Sequence, residues 1–294
     1  VSEQMLGDTD AAFEAYIEIL YLDDGSALAV GELQRLFNQG VHRLDIAERL
    51  EPLYTTRESW DDLHAMLELK LEDLGDPVDR MQVMRQLAEL NLDKMGRKPE
   101  AIIWFGRAFR LDPEDEMLLG QLTGLAEETE LFDDLQQILM DGASAVDDDF
   151  RRIELWHRAA AVSRDQRDDL VEAERIFRLV LAQDDENFRA LSALDALYVA
   201  VDRWDDLEPV LAKESEVAEF DDERVILLVR LAQLYRDRLD RRADAVTAWR
   251  KVLDINEMHR EALLALQTMY RDDSRWPELF AVLQQFSQTT RDDT

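Results

Sequence analysis

The aromatic residues Trp60, Phe132, Trp204 and Trp276 stand 72 positions apart, and a local pattern travels with each. The copies read Trp60-Asp61-Asp62-Leu63, Phe132-Asp133-Asp134-Leu135, Trp204-Asp205-Asp206-Leu207 and Trp276-Pro277-Glu278-Leu279. Behind them come Met66-Leu67, Ile138-Leu139, Val210-Leu211 and Val282-Leu283, apolar in every copy. A repeat of this kind buries its core by stacking copies, which predicts a solenoid rather than a closed globule.

The repeated unit is helical. Val83, Leu87 and Leu90 return as Leu155, Ala159 and Val162 and as Leu227, Leu231 and Leu234, the three-to-four-residue rhythm of one helix face. No glycine follows Gly142, so the turns are tight and polar. In the copy that starts near residue 79 the pattern predicts helices over about 79–95, 99–111, 114–128 and 131–145, with Pro99 in a first turn. Pro52 and Pro209 fall inside predicted helices, where a kink or boundary is expected.

The first hairpin of each unit resembles the tetratricopeptide repeat (TPR) family. Its small first-helix residue stands at Ala88, Ala160 and Ala232. In the second helix an alanine at Ala101, Ala173 and Ala245 precedes an aromatic at Phe105, Phe177 and Trp249, then Ala108, Val180 and Val252. The closing proline is present only as Pro113, with Asp185 and Glu257 at the equivalent places. The second hairpins depart further. Tyr54, Tyr198 and Tyr270 match the family's first-helix tyrosine and Ala126 does not, while Leu63, Leu135, Leu207 and Leu279 replace its second-helix alanine, which predicts wider helix spacing there. The resemblance implies an all-α, right-handed α-solenoid of helical hairpins with a 72-residue double-hairpin period.

Two regions follow: an irregular N-terminal repeat over 1–58, with room for one extra helix between Ala27 and Gly40, and regular repeats over 59–294, continuous with it as one solenoid. The series Arg80, Arg152, Arg224 would next fall at position 296, so the chain reads as a segment of a longer array. Alternatively the last helix caps itself through Gln284, Gln285, Ser287 and Gln288.

Charge and composition narrow the function classes. The chain has 294 residues, 46% of them hydrophobic, with 66 acidic against 34 basic side chains and a formal net charge of −32. Such a field repels nucleic acid and anionic membrane and favours basic partners, although high charge also serves solubility. The absence of cysteine leaves the redox compartment open, while no apolar run reaches membrane-spanning length and Val1–Met5 has no signal-like start, so a cytoplasmic location is the default expectation.

Catalytic and metal signatures are weak. No phosphate loop, dinucleotide fingerprint or nucleophile–base pattern occurs, and His42, His64, His157 and His259 lack the spacing of a helical zinc site, which predicts solvent-facing or groove-lining histidines. Acidic pairs such as Asp61-Asp62 suit a helix's first turn without an ion, and Asp112, Asp184 and Asn256 share one turn position. The aromatic series reads as core, and Gly120-x-x-x-Gly124 as a close helix contact. No enzyme activity, cofactor or metal is expected.

In the TPR family the first helices line the concave face. The resemblance therefore implies a groove of mixed charge at Arg85, Glu89, Glu154, His157, Arg164, Arg189, Gln233, Arg236 and Glu261, while the family's carboxylate clamp of lysines and asparagines is not matched. The expected role is a noncatalytic scaffold that binds a protein or peptide there. Alternatives are a docking arm of a multidomain enzyme or signalling protein, and an acidic decoy for a basic partner. The bound sequence and oligomeric state are not readable from these residues.

Overall fold

A computed structural model describes residues 9–292, with side chains through residue 284, and every regular element in it is a helix. The helices are α1 (Thr9–Leu22), α2 (Ala27–Asn38), α3 (Arg43–Thr56), α4 (Trp60–Asp73), α5 (Pro77–Glu89), α6 (Lys98–Leu111), α7 (Glu116–Thr129) and α8 (Phe132–Ala145). They continue as α9 (Asp149–Asp165), α10 (Leu170–Gln183), α11 (Phe188–Ala200), α12 (Trp204–Val217), α13 (Asp221–Asp237), α14 (Arg242–Ile255), α15 (Arg260–Asp272) and α16 (Trp276–Asp292). A π-helical turn, Leu90–Lys94, extends α5. The chain divides into two compact units between Leu155 and Trp156.

Helix starts recur with the sequence. Trp60, Phe132, Trp204 and Trp276 each open a helix, as do Pro77, Asp149 and Asp221 in another series 72 residues apart. Two residues before each aromatic, Glu58, Glu130, Asp202 and Ser274 take a left-handed φ of 55–57°. Those residues reverse the chain after the preceding helix. The next residue's amide then donates back five positions, as in Ser59 to Tyr54 O, Leu131 to Ala126 O, Arg203 to Tyr198 O and Arg275 to Tyr270 O. A second left-handed series comprises Gly96, Asp168 and Asp240.

The polar series of the sequence seat the remaining turns. Asp112, Asp184 and Asn256 accept from the amides of Glu114, Glu186 and Met258, and three residues later Asp115, Asn187 and His259 cap the next helix. The arginine series clamps helix ends. Arg80 donates to Leu71 O and Leu74 O, Arg152 to Ala143 O and Val146 O, and Arg224 to Ala218 O, which satisfies carbonyls that a helix terminus leaves open.

Packing follows the hairpins. Ala88, Ala160, Ala232, Ala101, Ala173 and Ala245 are wholly buried, and Phe105, Phe177 and Trp249 fill the space beside them at 0–4% exposure. Leu63, Leu135, Leu207 and Leu279 are buried as well. The insertion between Ala27 and Gly40 holds α2, which packs on α1 and α3.

Two expectations are corrected, that of a buried aromatic series and that of a close Gly120–Gly124 contact. Trp60, Phe132 and Trp204 are half-buried and Trp276 is 61% exposed, because a helix's first residue sits at the rim of the packed layer. Lys94 and Arg238 instead stack over the rings of Trp60 and Trp204 at 5.8 and 4.6 Å. α3 and α12 run through Pro52 and Pro209 without ending there. A Cβ on Gly120 or Gly124 would meet nothing within 4 Å, so neither glycine mediates a close contact. That role belongs to Gly106, whose Cβ would lie 2.6 Å from Ile138, and Gly142, 2.7 Å from Phe109, where α6 packs on α8. Val1–Met5 and the side chains of Gln285, Ser287 and Gln288 lie outside the described residues.

Candidate partner-binding face

Successive first helices are joined by polar bridges, and several predicted site residues belong to these bridges. In the first unit Gln86 of α5 donates to Glu51 of α3 at 3.4 Å, and Arg85 of α5 pairs with Asp115, the N-cap of α7. The backbone amide of Leu118, more than Arg85, holds the Asp115 carboxyl below the usual carboxylate range. In the second unit His157 of α9 bonds Asn187, the N-cap of α11, at 3.1 Å, which is the same repeat position as Arg85–Asp115. Arg230 of α13 grips Asp195 of α11 through two bonds of 2.6 and 2.7 Å, and Gln233 of α13 donates to Glu261 of α15 at 2.8 Å.

Other predicted residues are paired along their own helix. Arg164 bonds Asp165 at 2.6 and 2.9 Å, Arg236 bonds Asp237 at 2.6 and 2.8 Å, and Glu154 accepts from Arg151 at 2.8 Å. Glu89 and Arg189 are exposed, and no described residue forms an ion pair with Arg189. His157 is not solvent-facing: it is 4% exposed and stands beside Phe177.

The His157 tautomer follows from its partner. Asn187 Oδ1 already accepts from the Ala190 amide, so His157 Nε2 donates to it and Nδ1 carries the lone pair. Nδ1 is buried without a hydrogen bond. Burial, reinforced by the nearby Arg189 cation, lowers the His157 pKa and keeps the ring neutral.

Three of the nine predicted residues meet. His157, Arg164 and Arg189 line a groove of about 720 Å³ between α9, α10 and α11 in the second unit, together with Ala161, Phe177, Phe188, Ser192, Ala193 and Ala196. Small side chains leave room for a ligand backbone, the two phenylalanines supply apolar surface, and Arg189 supplies an unpaired cation. The spacing of charged first-helix positions found the arginines but missed Phe188 and the alanines. Gln233 lines a separate cleft of about 290 Å³ with Trp204, Arg230, Asp237 and Arg238. Arg85, Glu89, Glu154, Arg236 and Glu261 line neither.

A buried cluster lies between α11, α12 and α13. Glu214 is 2% exposed, its Oε2 has no hydrogen bond, and burial together with the neighbouring Asp195 pushes its carboxyl up to about 7. Among the described residues no three His, Asp or Glu side chains converge to hold a metal ion, and no helix is long and apolar enough to cross a membrane.

No protein-family model matches the chain, and no curated protein matches it. Similar solved structures include the C-terminal part of a TPR repeat-containing protein from Cytophaga hutchinsonii, at 17% identity over 86% of this chain and 99% of that one, with a TM-score of 0.37. YrrB, a TPR protein with an unusual peptide-binding site, matches at 14% identity over 62% of this chain and 90% of that one, TM-score 0.34. The Naa15/Naa10 complex bound to HypK-THB matches at 16% identity over 87% of this chain and 38% of that one, TM-score 0.38. Two of these are TPR proteins, and the described residues of this chain are likewise helical hairpins.

Proposed function

We propose that the protein is a noncatalytic interaction scaffold that holds a peptide segment of a partner protein in the α9–α11 groove. The observation that carries this reading is the convergence of an unpaired Arg189, the Phe188 ring and a small-residue floor in one open groove. A bound segment sets an acidic or carbonyl group on Arg189, while Phe188 takes an apolar side chain. The surrounding negative field favours basic residues elsewhere on the same partner and disfavours nucleic acid. Binding energy is expected from a few such anchors rather than from the whole surface.

Selection of a displayed random-peptide library on the full chain tests this. Enriched peptides are expected to lose about tenfold or more in affinity on Ala193→Trp, which fills the groove, and on Arg189→Glu. Peptides that bind wild type and both variants equally, or a selection that enriches nothing, contradict the assignment.

A further inference from the structure

α16 exposes an apolar stripe whose counterparts elsewhere in the chain are covered. Trp276, Phe280 and Leu283 lie at i, i+4 and i+7 on one helix face and are 61%, 69% and 41% exposed. The counterparts of Leu283 are Leu67, Leu139 and Leu211, exposed by only 1–2%. Phe280 stands where the other copies carry His64, Gln136 and Glu208, so this face is more apolar than the covered ones. Isolated exposed apolar residues need no explanation, but an aligned stripe of three large ones does.

The covered copies show what fits such a stripe. α5 packs on α4, and α13 packs on α12. Trp60 and Trp204 open their helices, whereas the cations above them, Lys94 and Arg238, stand at the far ends of the covering segments. The covering helix thus runs antiparallel and brings a basic residue near its C-terminus onto the tryptophan, an end where the helix dipole also favours a cation. Leu234 and Arg230 of α13 and Leu207 and Leu211 of α12 line one cleft between the two helices. No described cation stacks on Trp276.

We propose that the Trp276–Phe280–Leu283 stripe docks an amphipathic basic helix of a partner protein, antiparallel to α16, with a Lys or Arg over the Trp276 ring. The basic character follows from the cation that each equivalent tryptophan holds and from the net charge of −32, which attracts such a helix and repels a second copy of this chain. This surface is independent of the α9–α11 groove.

Two synthetic helices of about 18 residues, long enough for five turns, test the proposal by calorimetric titration of the full chain. Both carry the leucine spacing of α13. One has Arg at the position of Arg238 and lysines on its outer face, and the other has glutamates at those places. The basic helix is expected to bind one to one and to lose about tenfold or more in affinity on Phe280→Asp or Trp276→Ala. Val171→Asp, at a side chain 79% exposed on α10, is expected to leave binding unchanged. Phe280→Asp adds negative charge, so unspecific attraction would strengthen where docking weakens. Circular dichroism checks that each variant is folded. Equal binding of both helices, equal effects of Phe280→Asp and Val171→Asp, or no saturation below about 1 mM would overturn the proposal. So would self-association of the chain that Phe280→Asp abolishes, since the occupant would then be a second copy.

Discussion

The α6–α8 contact of the first unit and the equivalent positions on α10 and α12 of the second carry opposite chemistry. In the first unit Gly106 and Gly142 let the helices meet, each receiving a bulky side chain from the other, Ile138 and Phe109. At the same repeat positions the second unit carries Arg178 and Glu214, and Ile102 and Ala126 become Glu174 and Tyr198. Glu174, 7% exposed, accepts from Tyr198 Oη at 3.0 Å and pairs with Arg178 at 2.7 Å and Arg203 at 2.5 Å. The same repeat positions therefore carry a close apolar helix contact in the first unit and a buried polar network in the second, where α10 and α12 do not approach as closely. Dense packing contributes stability directly, whereas the network must offset the desolvation of its charges. The α9–α11 groove and the titratable Glu214 both lie in the polar unit.

Filling the apolar contact should produce the largest effect. Gly142→Val puts branched carbons against the wholly buried Phe109 ring and is expected to destabilise by about 1–3 kcal/mol in chemical denaturation. In a Phe109→Ala background the same change should cost much less, because the clash partner is gone. Equal costs in both backgrounds would mean that the glycine is not set by this contact.

Glu214 gives the next effect, with a sign opposite to that of His157. Its folded pKa, about 7, lies above the ordinary value of 4.5, so between these pH values the folded state binds more protons than the unfolded chain. Its contribution is fully present below about pH 4.5 and is lost as pH rises through 7. Glu214→Gln is expected to raise the melting temperature at pH 8 relative to wild type and to flatten the dependence between pH 5 and 8. His157 has the opposite sign: its lowered pKa makes stability fall as pH drops below the ordinary histidine value of 6.5. An unchanged pH profile in Glu214→Gln would remove the carboxyl from this account.

The smallest effect concerns the turns. Asp168 and Asp240 hold the left-handed conformation that Gly96 adopts in the first unit. A left-handed non-glycine residue costs roughly 1–2 kcal/mol, and glycine's greater unfolded-state freedom returns part of that, so Asp240→Gly should stabilise by about 0.5–1 kcal/mol. A loss of stability would indicate that the Asp240 side chain contributes more than its backbone strain costs.

The helices were legible because the repeat shows its punctuation: Asp112, Asp184 and Asn256 mark turns, and the arginine series marks helix junctions. Depth was not legible for Trp60 or Trp276, since periodicity reports equivalence and a helix's first residue can lie at the rim. Gly120 and Gly124 have a close-packing spacing but point to open space, whereas Gly106 and Gly142 are 36 residues apart and form no local motif. The α9–α11 groove was legible only in part, with three of the nine predicted residues lining it. Face assignment found Arg164 and Arg189, but it could not foresee that Arg85, His157 and Gln233 would bond across helices to residues 28–30 positions away. The recurrence of 85–115 as 157–187 was the available signal.

The most direct measurement of the scaffold assignment is a crystal structure of the full chain with a library-selected peptide. The account predicts the peptide in the α9–α11 groove, with an acceptor on the Arg189 guanidinium. A peptide bound elsewhere, with that groove filled only by solvent, would contradict it.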